Sequence, residues 1–226
     1  MVLQARGDEP AAQAALGELC EAYWQPVFRF LRREGRDEDQ SRELTQEFVA
    51  RLLSGSGIDG ADPAKGRFRS YLLGALKHFL AEKRRNENRQ KRGGDAVVES
   101  LQAGGTETSP GRQIADPDSN VADTYFDHEW ALELMERALN KVQADFERSG
   151  KGEQFTILKP WLVGDTESLS QNDAAGQLGM KTGAVKVAIY RLRRNFGDAV
   201  RTEIAQTVDD PNEVSEELRY LIEVLS

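Results

Sequence analysis

The stretch SQNDAAGQLGMKTGAVKVAIYRLRRNF, residues 170–196, decides how the chain is read. Ser170 followed three residues later by Asp173 is a capping-box-like helix start. Ala174, Ala175 and Leu178 fall on one side of a short helix, and Gly179 stands where a left-handed turn residue is needed. A new helix is predicted to start and cap at Thr182, with Val185, Ile189 and Leu192 facing inward. Ala175, Gly179 and Val185 have the spacing of a helix-turn-helix. The small residue lets two helices cross closely, the glycine makes the turn, and the valine seals the core between them. The face left outside carries Lys186, Val187, Tyr190, Arg191 and Arg194, with Lys181, Thr182 and Ala184 near its start. Cations for phosphates and guanines, with apolar groups for thymine methyls, suit a major groove. The bland alternative is a three-helix bundle in which Gly179 is an ordinary helix stop. The density of arginine on the exposed face argues against it.

Working outward, Asp209-Asp210-Pro211 opens a last helix with Val214, Leu218, Leu221, Ile222 and Leu225 on one face. Upstream, Trp130, Leu134, Leu139, Val142 and Phe146 predict a helix to about Ser149, followed by a short one over roughly 154–163. Between Asp95 and Glu129 stand eight acids against Arg112 alone, punctuated by Gly104-Gly105, Pro110-Gly111 and Asp116-Pro117. Residues 95–127 therefore read as an acidic flexible linker. Before it come three helices. The first spans about 9–35, with Leu16, Leu19, Tyr23, Val27, Phe30 and Leu31 as its buried stripe and Pro26 expected to kink or split it. The second runs from Asp37 to about Ser54. The third runs from about Gly66 to Arg85 and dissolves into a basic loop; Phe68, Leu72, Leu76, Phe79 and Leu80 face inward, leaving Arg69, Lys77, Lys83 and Arg84 outside. The expected fold is all-α. Two small helical domains, 1–94 and 128–203, are joined by the linker, and an acidic helical tail covers 204–226.

Charge is distributed in blocks. Of 226 residues, 30 are Lys or Arg and 38 are Asp or Glu, a formal net charge of −8. Yet residues 65–92 carry a net +8 and residues 181–201 a net +5, so the remainder is −21. Two concentrated basic segments, each on a recognisable element, point to a polyanion partner. One cysteine, Cys20, excludes an intramolecular disulfide and a cysteine metal cluster. The two histidines, His78 and His128, lack ligand spacing, and no metal or cofactor is expected. No apolar run approaches the roughly 20 residues of a membrane helix. The first 14 residues carry Asp8 and Glu9 and lack the apolar core of a secretion signal, so the expected compartment is the cytoplasm.

Taken in order, these motifs resemble a bacterial RNA polymerase sigma factor of the extracytoplasmic-function type, which has sigma regions two and four joined by a variable linker. The resemblance covers about residues 12–93 and 130–200. Leu44-Thr45-Gln46-Glu47-Phe48 with Arg51-Leu52-Leu53 is similar to the region-two helix that docks on the clamp helices of the polymerase's largest subunit. The resemblance thus implies that Glu43, Leu44, Gln46, Glu47, Phe48 and Arg51 bind core polymerase. Gly66-Arg67-Phe68-Arg69-Ser70-Tyr71-Leu72 is similar to the start of the helix that engages the minus-ten element, and residues 84–92 fall where the family captures a flipped-out base. That implies minus-ten contacts from Arg67, Arg69, Tyr71, Lys77, Lys83, Arg84, Arg85 and Arg89. Residues 179–194 are similar to the region-four reader of the minus-thirty-five element. The chain departs from the family at Lys181-Thr182, where Ser-Glu is common, in the looser segment 164–169, and in the acidic tail.

The expected function is promoter-directed transcription initiation with no catalytic chemistry. Its partners are core RNA polymerase and promoter DNA, with an anti-sigma factor or other regulator as a further one. The alternative is a helix-turn-helix regulator that never touches polymerase; it leaves helix 37–54 and the 65–92 block without a job. A nucleic-acid enzyme has no acid cluster, histidine pair or phosphate loop to support it. The tail either folds onto a basic face and hides it or packs its apolar stripe on the second domain.

Overall fold

A computed structural model describes residues 10–54, 67–92, 117–164, 169–208 and 210–226. It is all-helical, with no strand among the described residues. Helix α1 (Pro10–Arg33) runs on through Pro26 rather than splitting there. Its chain reverses at Gly35, whose φ of +86° is the left-handed conformation that glycine tolerates best. Helix α2 (Glu38–Leu53) starts at Asp37, whose carboxylate accepts the Gln40 N–H at 2.8 Å. Helix α3 spans Phe68–Arg92, seven residues beyond the expected end at Arg85. Asn86–Arg92 contain neither glycine nor proline, and Gly93 is the first breaker.

Helix α4 (Pro117–Arg148) is the longest element, at 32 residues. It begins eleven residues before position 128, so 117–127, expected as linker, form its first turns; the rest of the expected linker, 95–116, lies outside the described residues. Helices α5 (Gly152–Leu158) and α6 (Pro160–Val163) replace the single predicted helix, because Pro160 cannot continue α5. Helix α7 (Gln171–Gln177), helix α8 (Thr182–Thr207), a 3-10 turn (Pro211–Glu213) and helix α9 (Val214–Leu225) complete the chain.

The core is continuous from end to end. Leu19, Tyr23, Val27, Phe30 and Leu31 of α1 meet Phe48 and Leu52 of α2 and Phe68, Leu72, Leu76, Phe79 and Leu80 of α3. The first half of α4 docks on α1: Phe126 is fully buried with its ring edge-on to Phe30 at 6.0 Å, Arg33 lies over Tyr125, and Arg29 pairs with Glu129 at 3.0 Å. The second half of α4 supplies Leu134, Ala138 and Val142 to a core shared with Phe155 and Leu158 of α5 and with α8. One helix thus belongs to both halves of the molecule. The tail helix α9 packs on α4 and α8 through buried Leu221, while Ile222, expected on its inner face, is mostly exposed.

Candidate nucleic-acid interface

The α7–α8 unit is built by local rules. Ser170 caps α7 with a reciprocal capping box: its hydroxyl accepts the Asp173 N–H at 3.2 Å, and the Asp173 carboxylate accepts the Ser170 N–H at 3.3 Å. The helix closes with the Met180 N–H on the Ala175 carbonyl at 2.9 Å and the Gly179 N–H on the Gly176 carbonyl at 3.3 Å. That is a Schellman ending, with Gly179 at φ +61°. The α8 N-cap is Lys181 rather than Thr182 and makes no side-chain cap, since lysine has no acceptor to offer. The Thr182 hydroxyl instead ties α8 to α7 by donating to Asn172 Oδ1 at 3.0 Å. Ala175 and Val185 are buried between the two helices.

Outside this core stands the α8 face. Lys181, Ala184, Lys186, Val187, Tyr190, Arg191 and Arg194 are all exposed, and Tyr190 retains 66% of its surface in solvent. Among the described residues Lys181, Lys186 and Arg191 make no ion pair, and Arg194 has only a 3.9 Å contact with Asp198 one turn on. Val187 and Ala184 adjoin a groove between α8, α5 and the end of α4 that is also lined by Phe146, Met180 and Arg191. Arg193, one position round the helix, is used differently. Its Nε and Nη2 both donate to the Trp161 carbonyl, at 3.1 and 3.0 Å, and hold α8 against α6.

The α3 cations are arranged otherwise. Arg69, expected outside, is buried, with 3% of its side chain exposed. Its Nε donates to Asp127 at 3.0 Å, its Nη1 pairs with Glu217, and its guanidinium lies 4.7 Å from the Trp130 ring and 4.2 Å from the Tyr220 ring. Four partners from α4 and α9 converge there, and together they offset the cost of burying the charge. Arg67 pairs with the other oxygen of Glu217 and also lies over Tyr220. Lys77 pairs with Asp123, Lys83 with Glu47, and Arg84 with Glu34 at 3.4 Å. Arg85 donates to the Ala81 carbonyl; Arg89 is exposed. Tyr71 is half-buried, 6.3 Å from the Phe68 ring.

On α2, Glu43 and Gln46 are exposed and Leu44 is half-buried. Phe48 is a core residue, 5.7 Å from the Phe79 ring. Glu47 and Arg51, which the resemblance assigns to the polymerase contact, pair across to α3: Glu47 with Lys83, and Arg51 with Glu82 at 2.8 Å. The hydrogen bond and charge of Arg51 hold the Glu82 carboxyl below its ordinary range. A groove beside them is lined by Arg36, Gln40, Glu43, Leu44, Lys83 and Arg84.

The partners that sequence reasoning missed are Asp123, Asp127, Glu217 and Tyr220. The one local signal was Glu217 itself, an acid one turn before the buried Leu221 and thus on the inward side of α9. No helix of the described residues is long and apolar enough to cross a membrane. No family model matches the chain, and neither a curated protein nor a solved structure matches it.

Proposed function

We propose that the chain is a transcription initiation factor of the sigma type, which binds core RNA polymerase and directs it to promoters. The observation that carries the reading is the α8 face, where four cations and two apolar side chains stand exposed on a helix held by a helix-turn-helix. Such a face meets the needs of major-groove reading: arginines for guanine edges and phosphates, Val187 and Tyr190 for thymine methyls. The exposed Glu43 and Gln46 of α2 are the side chains best suited to the polymerase contact. Phe48 serves that contact by shaping α2 from within. The protein has no catalytic role in this reading; its partners are polymerase, promoter DNA and a regulator such as an anti-sigma factor, and it acts in the cytoplasm.

A second reading, a helix-turn-helix regulator that works without polymerase, draws on the internal pairing of the α3 cations. Binding of the purified chain to core polymerase separates the two. Capture by core enzyme, lost on replacing Glu43 and Gln46 by alanine, is the expected result. Both positions are exposed, so the variant keeps its fold. No capture of the unaltered chain, together with specific duplex binding that Arg191→Ala abolishes, would overturn the first reading in favour of the second.

A further inference from the structure

Helix α9 brings one inward-facing acid to one place. The Glu217 side chain is only 4% exposed, and its two oxygens are divided between Arg67 and Arg69. Three residues on, the Tyr220 ring lies 4.6 Å from the Arg67 guanidinium and 4.2 Å from that of Arg69, and its hydroxyl donates to Asp127. Packing alone does not call for this acid. A buried charge cluster replaced by apolar groups of similar volume is often as stable or more so, and α9 already has Leu221 as its anchor. What the cluster does is electrostatic. An anion and an aromatic ring are held against two arginines at the start of α3. A single-stranded nucleic acid offers a cationic surface the same pair of groups, phosphate and base. The contrast with α8 sharpens the point: its cations remain open while Arg69 and Lys77 of α3 are taken up by carboxylates of α4 and α9.

We propose that α9 is a self-occupying cap, in which Glu217 and Tyr220 stand where the phosphate and base of a single strand would lie, and which must leave before Arg67 and Arg69 can hold that strand. The inference rests on the reading of α3 as a nucleic-acid surface. Opening the cap leaves α4 in place, because Asp127 and Trp130 still contact Arg69 from that helix.

The test is oligothymidylate binding by the full chain, followed by fluorescence anisotropy over a range of salt, for the unaltered protein and for Glu217→Gln. The variant is expected to bind several-fold more tightly. Its log–log salt slope should steepen by roughly 0.7 for each arginine that gains a phosphate. The gain must persist with Arg191→Ala and Arg194→Ala in both proteins, which removes the α8 face from the comparison. Equal affinity and slope, or a gain that vanishes in that background, would overturn the proposal. A second measurement needs no substitution: amide exchange of residues 214–225 should accelerate when the oligonucleotide is added, and unchanged protection at saturation counts against the cap. Polymerase capture is scored separately. A chain that fails capture but shows the Glu217→Gln effect keeps the cap and loses the initiation role; the converse result does the opposite.

Discussion

Replacing Phe126 by alanine tests the docking of α4 on α1, on which the relation of the two halves depends. The ring is fully buried and edge-on to Phe30 at 6.0 Å. Removing an aromatic side chain from water covers on the order of 150–250 Å². At about 25 cal/mol per Å², full burial contributes about 4–6 kcal/mol. Alanine keeps the β-carbon and the site collapses in part, so the expected loss is about 3–5 kcal/mol. At about 2–4 °C per kcal/mol for a chain of this size, the melting temperature should fall by on the order of 10 °C. Val121, 57% exposed on the same helix, is the control, and its alanine variant should change stability by less than about 0.5 kcal/mol. Urea unfolding monitored by circular dichroism gives both values, and amide exchange locates the loss. If Phe126→Ala costs no more than Val121→Ala, the first turns of α4 are not part of the core, and the two halves are joined by a tether rather than by a shared helix.

Other expectations follow from single sites. Gly179→Ala forces a β-carbon into φ +61° and should destabilise by about 1–2 kcal/mol, with loss of duplex binding in proportion to the unfolding of α7. Gly176→Ala, within α7 and with open space where its β-carbon would lie, should instead stabilise by about 0.5–1 kcal/mol. Arg69→Ala leaves Asp127 without its guanidinium and Glu217 with Arg67 alone, and should cost about 3–5 kcal/mol in urea unfolding, part of it recovered when Glu217→Gln is added. Burial pushes the Cys20 thiol up to about 11, so thiolate-specific labelling should be slow in the folded state until the pH approaches that value, and fast once the chain unfolds in denaturant.

What the sequence made legible was local. The α7–α8 turn could be read because Ser170, Asp173 and Gly179 act within ten residues of one another, and each has one conformational use. The start of α2 could be read for the same reason, from the Asp37 cap and the spacing of Phe48 and Leu52. The burial of Arg69 could not. Apolar periodicity assigns an arginine beside Phe68 to solvent, and the acids that reverse this lie 58 and 148 residues away. The same limit hid the first turns of α4. Residues 117–127 open at Asp116-Pro117 and carry Asp118, Asp123 and Asp127, which continues the acidic pattern of a tether. They are ordered by partners on other helices: Asp123 by Lys77, Asp127 by Arg69, and Phe126 by Phe30.

That arrangement gives the negative net charge a physical meaning. A chain with +8 on one segment would hold any polyanion, with an affinity set by salt rather than by sequence. Placing Asp123, Asp127 and Glu217 against Lys77, Arg67 and Arg69 withdraws part of that segment from long-range attraction. The α8 face, whose mixture of cations and apolar groups is the base-pair reader in the proposed role, stays exposed. Under the proposed function, non-specific attraction is thereby lowered more than selective contact. In the proposed role, in which the chain finds a promoter among a great excess of other DNA, the ratio of specific to non-specific binding matters more than affinity alone. In the proposed role the internal acids favour selectivity in the free protein, and Arg67, Arg69 and Lys77 become available to nucleic acid only where a bound strand can replace Asp123, Asp127 and Glu217.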